Sequence, residues 1–157
     1  MMEQPNRDTS TPSIPQMFLA SDQWSPRFEG TFFTVKVNGF DLLRSLPESV
    51  GSSRVASGKG TFPAYYYKID VCCGHAKHTV SRRFSQFDWL VSNMSSHDWP
   101  NLPTLPPKTW ICQSQDARFA MHRLEQLREF LEALLSQPGI ATDPSVIAFL
   151  ELDQFTN

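Results

Sequence analysis

The chain has 157 residues, a formal net charge of −2 at pH 7, and 40% hydrophobic residues, with aromatic residues making up 12%. This length is enough for one domain with a buried core, and the composition is typical of a globular protein. No apolar run approaches the roughly 18 residues of a membrane span, and the first residues lack the apolar segment of a signal peptide. Three cysteines, two of them adjacent, do not form a disulfide framework. We therefore expect a cytoplasmic protein.

Charge is distributed unevenly along the chain. Residues 54–83 contain six Lys or Arg and one acid, whereas residues 129–157 contain five acids and neither Lys nor Arg. A local basic surface is therefore compatible with a slightly acidic total, although such blocks are more often simply solvated faces.

The first half of the chain predicts strands. Residues 1–22 are polar and contain prolines, which predicts a flexible arm. Residues 28–40 have the composition of a strand, with Asn38-Gly39 marking a turn, and residues 41–64 form a long Ser- and Gly-containing insertion. Two further strands, at 65–73 and 77–84, flank the short sequence GHAK and predict a hairpin.

The second half predicts helices. Apolar residues recur at helical spacing after Ser85, a candidate N-cap, and again over residues 117–137, after Asp116. The proline-rich segment WPNLPTLPPKTW between them predicts an extended loop, and Asp143-Pro144 opens a last short helix. Strands followed by helices, without alternation, predict an α+β domain over residues 23–155, with a three-stranded antiparallel sheet packed on a helical part.

The sequence lacks the patterns of common catalytic and cofactor sites. The four histidines do not pair with a carboxylate and a nucleophile in a familiar order, and there is no glycine loop of the GxGxxG or GxxxxGK type. The sequence CCGHAKH lies across the predicted hairpin turn and has no second ligand pair at zinc spacing. We therefore expect no enzyme activity, no cofactor and no metal. Nucleic-acid binding is also disfavoured, because the basic residues come without a nucleic-acid motif or overall basic charge.

The sequence SRRF combines groups that could bind an anion. At the end of a strand Arg82 and Arg83 point to opposite faces, so only one of them enters a given pocket. The helix that follows has unpaired backbone N–H groups at its start, and an arginine there adds a planar fork suited to phosphate. Phe84 adds an apolar ring. The alternative, left open by these residues alone, is that both arginines are solvated and Phe84 belongs to the core.

Two other segments carry similar chemistry. Lys108 ends the proline-rich loop and is followed by Trp110 and Ile111, a combination that suits insertion into a membrane interface, although Trp110 could equally pack in the core. Arg123 borders the apolar stripe of the long helix. A charge at that border is either solvated or paired, or it points into the floor of a pocket.

Three motifs occur in one order: SRRFSQF, then LPTLPPK, then FAMHRLEQLREFLEALLSQPGI with SVIAFL. In this order they resemble the PX (phox homology) domain, over about residues 28–152. The resemblance implies a three-stranded antiparallel sheet with a helical subdomain that binds phosphoinositide headgroups.

The resemblance also implies a role for each matching residue. Arg83, directly before the aromatic residue, is similar to the arginine that holds the 3-phosphate, and Phe84 stands where an aromatic residue, more often tyrosine, lies under the inositol ring. Lys108 matches the basic residue that contacts the 1-phosphate, and Arg123 matches the helix arginine that holds the 4- and 5-hydroxyls. Trp110 and Ile111 resemble the turn that inserts into the membrane.

The resulting hypothesis is a monomeric, sorting-nexin-like module that recruits its protein to phosphatidylinositol 3-phosphate on endosomal membranes, in vesicle trafficking and protein sorting. The alternative is a protein-interaction module, because Pro103–Pro106, with the sequence PTLP, fits a minimal PxxP ligand of an SH3 domain.

Overall fold

The computed structural model describes residues 14–15, 17–20, 32–45, 54–55, 62–108 and 117–156. One sheet contains, in order, β1 (Met17–Phe18), β2 (Phe32–Leu43), β3 (Ala64–Cys73) and β4 (Ala76–Arg83). The helices are α1 (Phe84–Ser92), α2 (Ala117–Leu135) and α3 (Pro144–Leu150), and short 3₁₀ turns occur at Ile140–Thr142 and Leu152–Thr156. The α+β class predicted from the sequence is confirmed.

The sheet has four strands in the described residues, one more than predicted. β1 lies within the segment predicted as a flexible arm and pairs parallel with the start of β2, where the N–H of Leu19 donates to the carbonyl of Phe33 over 2.9 Å. The ring of Phe18 packs on that of Phe33, with 5.7 Å between the centroids. Two apolar side chains in a polar segment are too weak a pattern to predict such a strand. Of the two, Phe18 packs against the core and Met17 is 53% exposed.

The turn predicted at Asn38-Gly39 is wrong. β2 continues through these residues to Leu43, and its pairing with β3 shifts register between Val37 and Gly39, which is a β-bulge. The dipeptide therefore kinks the strand instead of ending it. As a result the first three residues of the predicted insertion belong to β2, and its last residue, Ala64, begins β3.

Part of the remaining insertion contacts the domain. Val55 is buried at 2% exposure, and the guanidinium of Arg54 lies 2.8 Å from the carboxylate of Asp153 near the end of the chain. These two residues fix the middle of the connection to the C-terminal region.

The predicted hairpin of β3 and β4 is confirmed, with Gly74 in its turn at φ 62°. Alternate residues of β3 face the helices and are buried, among them Tyr67, Ile69 and Val71. The same alternation on β4 buries Val80 and Arg82, and it decides which arginine of SRRF enters the interior.

α1 begins two residues earlier than predicted. Its first residue is Phe84 and its N-cap is Arg83, whose backbone N–H donates to the side-chain oxygen of Gln86 over 2.9 Å. This bond makes Gln86, instead of the predicted Ser85, the side chain that organises the first turn. Phe87, Leu90 and Met94 are buried, as their helical spacing predicts.

The apolar stripe of α2 forms the centre of the core. All residues predicted for the stripe are buried, and so is Phe130 beside it. The stripe consists of Ala120, Leu124, Leu127, Leu131, Leu134 and Leu135. The predicted cap of α3 is also confirmed, because the carboxylate of Asp143 accepts from the N–H of Ser145 over 2.8 Å. None of the described helices is long and apolar enough to cross a membrane.

Candidate functional site

The two arginines of SRRF have different surroundings. Arg82 is 2% exposed, and its Nε donates to the carbonyl of Phe149 over 3.0 Å at the end of α3. Its Nη2 lies 3.7 Å from the carboxylate of Glu151. Burial lowers the pKa of Arg82, and the charge of Glu151 partly opposes that effect. Arg82 therefore joins β4 to the C-terminal end of α3, where a cation also complements the helix dipole.

Arg83 lies on the opposite face, at the start of α1. Its guanidinium carbon is 5.2 Å from the ring centroid of Phe62 and 5.8 Å from that of Tyr66, its cross-strand neighbour on β3. Residues at the start of a helix also present backbone N–H groups that the helix itself does not satisfy. The half-buried Arg83 thus lies where an anion that approaches the start of α1 would meet it.

Arg123 reaches the same helix start from α2. It is 8% exposed, and its guanidinium carbon lies 4.0 Å from the ring centroid of Phe84 and 4.7 Å from that of Phe119. Its Nη2 donates to the carbonyl of Pro107 over 2.8 Å. Burial lowers the pKa of Arg123, opposed in part by Tyr67. An arginine remains charged after such a change, so this one carries a buried positive charge.

Lys108 lies alongside the first two turns of α1. Its Nζ is 3.9 Å from the carboxylate of Asp88, which follows Phe84 by one helical turn. Both side chains are more than half exposed, at 57% and 51%. Lys108 is therefore a solvated cation at the rim of the region that Arg83 and Arg123 approach from inside the fold.

The structure thus brings four of the predicted residues together around the first turn of α1. Arg83 caps the helix, Phe84 begins it, Arg123 lies over the Phe84 ring, and Lys108 contacts the next turn. Three cations, an aromatic ring and helix N–H groups suit an anionic ligand that carries a ring. No cluster of three or more metal-ligating side chains occurs in the described part of the chain. The other two predicted site residues, Trp110 and Ile111, lie outside the described residues.

The sequence prediction missed two kinds of residue. Phe119 precedes Arg123 by four positions, a spacing that places both side chains on one helix face, so helical periodicity could have found it. Phe62 and Tyr66 contact Arg83 through pairing between strands and through the connection before β3, and no local pattern indicates either contact.

The sequence matches the PX domain family over residues 71–153. Among curated proteins it is 34% identical over 73 residues to the sorting nexin MVP1 of Kluyveromyces lactis, which covers 46% of this chain and 14% of that protein. It is 30% identical over 87 residues to the serine/threonine-protein kinase Sgk3 of Rattus norvegicus, covering 55% of this chain and 18% of the kinase. The chain thus matches less than a fifth of the length of these relatives.

Solved structures agree with the family match. The X-ray structure of a designed CISK-PX domain is 30% identical, with a TM-score of 0.58, and the match covers 74% of this chain and 97% of that one. The mouse SNX19 PX domain with bound sulphate ion is 24% identical, with a TM-score of 0.50 over 75% of this chain and 94% of that one, which supports the fold alone. The chain, with its α+β fold and its basic site at the start of α1, belongs to the PX domain family.

Proposed function

We propose that this domain binds phosphoinositide headgroups and recruits its protein to membranes in vesicle trafficking and protein sorting. The observation that carries the proposal is the convergence of Arg83, Phe84, Lys108 and Arg123 on the first turn of α1. Membership of the PX domain family and similarity to a sorting nexin support the same reading.

The favoured ligand in this proposal is phosphatidylinositol 3-phosphate. Arg83 binds the 3-phosphate together with the N–H groups at the start of α1, and Lys108 at the exposed rim binds the 1-phosphate that joins the headgroup to the lipid. Arg123 donates to the 4- and 5-hydroxyls. Phe84 contacts the inositol ring with the part of its own ring that Arg123 does not cover.

Membrane attachment in this proposal is peripheral and does not involve catalysis. Trp110 and Ile111, two and three residues after the rim lysine, insert their side chains into the membrane interface once the headgroup is bound. The domain acts as a monomer on endosomal membranes, where the exposed basic residues near the surface add attraction to anionic lipid.

The test is sedimentation with liposomes that each carry one phosphoinositide. We expect binding to phosphatidylinositol 3-phosphate vesicles, and we expect Arg83→Ala to weaken it about tenfold to a hundredfold, the effect of a charge-assisted contact of about 1.5–3 kcal/mol. Lys77→Ala is the matched control, because Lys77 lies at the hairpin end of β4 and pairs with Asp70 at 3.7 Å, far along the strand from Arg83. Equal binding to all anionic vesicles, or no effect of Arg83→Ala, would remove the headgroup assignment.

The SH3-ligand alternative receives less support from the loop itself. Pro106, the second proline of the PxxP sequence, is buried, and an SH3 groove needs both prolines accessible. We therefore do not propose this loop as the main binding surface.

A further inference from the structure

The contacts of Arg123 include two with aromatic rings and one hydrogen bond to a carbonyl. The ring of Phe84 lies 4.0 Å from its guanidinium carbon, the ring of Phe119 lies 4.7 Å from it, and the carbonyl of Pro107 accepts from Nη2 over 2.8 Å. The three partners come from the start of α1, the first turn of α2 and the proline-rich loop. Their combined effect is to fix both the position and the plane of the guanidinium.

Contact with aromatic rings has a particular consequence for a ligand-binding arginine. A ring attracts the cation through its π face, so it holds the guanidinium without accepting a conventional hydrogen bond from its N–H groups. Arginine carries five N–H donors in one plane, and the plane fixes the directions in which they can donate. A free arginine side chain has about 2 kcal/mol of rotamer entropy to lose, and a side chain that is already held loses less of it when a ligand binds.

Phe119 is well placed for this role. It is half-buried and lies on the same helix face as Arg123, one turn earlier. The residues that α2 contributes to the core cluster follow Phe119 and begin with Leu124. A change of Phe119 should therefore alter Arg123 more than it alters the core.

We propose that Phe119 is a positioning residue of the headgroup site, which with Phe84 clamps the guanidinium of Arg123 in the orientation that meets the ligand. The role in binding rests on the proposed function. The clamp itself exists without ligand and can be measured separately.

The ligand-free experiment uses NMR of the arginine side chains in the whole chain labelled with ¹⁵N. A held guanidinium between two rings should give an Nε–H signal shifted by the ring currents, assigned to Arg123 by its loss in Arg123→Lys. We expect Phe119→Leu, which keeps apolar bulk and removes the ring, to move this signal part of the way towards the ordinary arginine position, because the nearer ring of Phe84 remains. Phe119→Tyr keeps the ring and should keep the shift. An unchanged signal in Phe119→Leu would overturn the clamp.

The binding experiment uses calorimetry with a soluble short-chain phosphatidylinositol 3-phosphate. Phe119→Leu should weaken binding about fivefold, the size of one cation–π contact, and Phe119→Tyr should restore it. Met121→Leu is the control, because Met121 lies on the same turn and is 53% exposed. In an Arg123→Ala background Phe119→Leu should have no further effect, since the clamped group is gone.

The outcomes separate the two proposals. Wild-type protein that binds no headgroup while its Arg123 signal is shifted would refute the proposed function, and with it the positioning role, but not the clamp. Two results would refute the positioning role alone, given that the wild-type protein binds. One is that Phe119→Leu binds as well as the wild type, and the other is that the loss from Phe119→Leu adds to the loss from Arg123→Ala.

Discussion

Two regions of this domain each bury an arginine next to an aromatic ring, Arg82 at 5.5 Å from Phe149 and Arg123 at 4.0 Å from Phe84. The other contacts of the two arginines differ. At the junction of β4 and α3, Arg82 donates to the carbonyl of Phe149 at 3.0 Å and lies 3.7 Å from the carboxylate of Glu151. At the start of α1, Arg123 lies over two rings at 4.0 and 4.7 Å and donates to the carbonyl of Pro107 at 2.8 Å.

The difference shows that burial of a charge does not by itself mark a functional site. A guanidinium whose N–H groups are directed at carbonyl oxygens and a carboxylate stabilises the fold, and its pKa is lowered by burial just as that of Arg123 is. A guanidinium that packs on aromatic rings is held in part by contacts that a hydrogen-bonding ligand would not have to replace. Arg83 also lies near two aromatic rings, those of Phe62 and Tyr66.

The largest expected effect tests this difference through stability. Arg82→Ala should lower the free energy of unfolding by about 3–5 kcal/mol, because it leaves the carboxylate of Glu151 and the carbonyl of Phe149 without their cation. Arg83→Ala, one residue away, should change it by less than about 1 kcal/mol. Urea denaturation of both variants measures the two values. Equal losses would mean that Arg83 also has a structural role, and would break the comparison.

Much of this comparison could be predicted from the sequence. The alternation along a strand predicts that Arg82 and Arg83 face opposite ways, and helical spacing predicts the buried stripe of α2 and the cap at Asp143. The four residues around the start of α1 could be selected because the motifs that contain them occur in one order along the chain. These features depend on local sequence, which a pattern can represent.

The rest depends on contacts between distant residues. The sequence could not show that Arg82 is the inward arginine, because this depends on the carbonyls at the end of α3, about 67 residues further along the chain. Nor could it show that Arg123 is 8% exposed, since a border position on α2 becomes buried only when the proline-rich loop and Phe84 cover it. β1 and the bulge at Gly39 were missed for the same reason: both follow from pairing with other strands.

A second, smaller effect joins the two regions through Tyr67. This residue pairs with Arg82 across the strands, and its phenol feels the charge of Arg123. Burial raises the pKa of Tyr67 from 10.0 to about 12, while the charge of Arg123 opposes that rise. Between these two pH values the phenol of Tyr67 therefore keeps its proton in the folded protein and has lost it in the unfolded chain. The stabilisation is complete below pH 10 and disappears as the pH rises to 12, a change of about 3 kcal/mol.

The measurement compares unfolding free energies of the wild type and Tyr67→Phe between pH 9 and 12, so that the titration of lysines cancels. The difference between the two proteins should shift by about 3 kcal/mol against the wild type over this range. Adding Arg123→Ala should move the titration of Tyr67 to still higher pH, because the opposing charge is removed. A constant difference between wild type and Tyr67→Phe would show that the phenol is better solvated than its 1% exposure indicates.

The smallest effect concerns Lys108 and sharpens the contrast between exposed and buried cations. Lys108 is 57% exposed beside Asp88, so its contribution to vesicle binding should be about 1 kcal/mol, and Lys108→Ala should weaken binding about fivefold at low salt. Salt screens exposed charges, with a Debye length that falls from about 10 Å at 0.1 M to about 3 Å at 1 M, so this loss should shrink as salt is added. Arg123→Ala, which removes a charge at 8% exposure, should weaken vesicle binding by the same factor at both salt concentrations.

Asp88→Asn is the control, because removing the acid beside Lys108 should strengthen vesicle binding slightly at low salt. Flotation with phosphatidylinositol 3-phosphate vesicles at the two salt concentrations measures all three variants. If the loss in Lys108→Ala were as independent of salt as that in Arg123→Ala, Lys108 would be a desolvated headgroup ligand, and its place would be inside the site instead of at the rim.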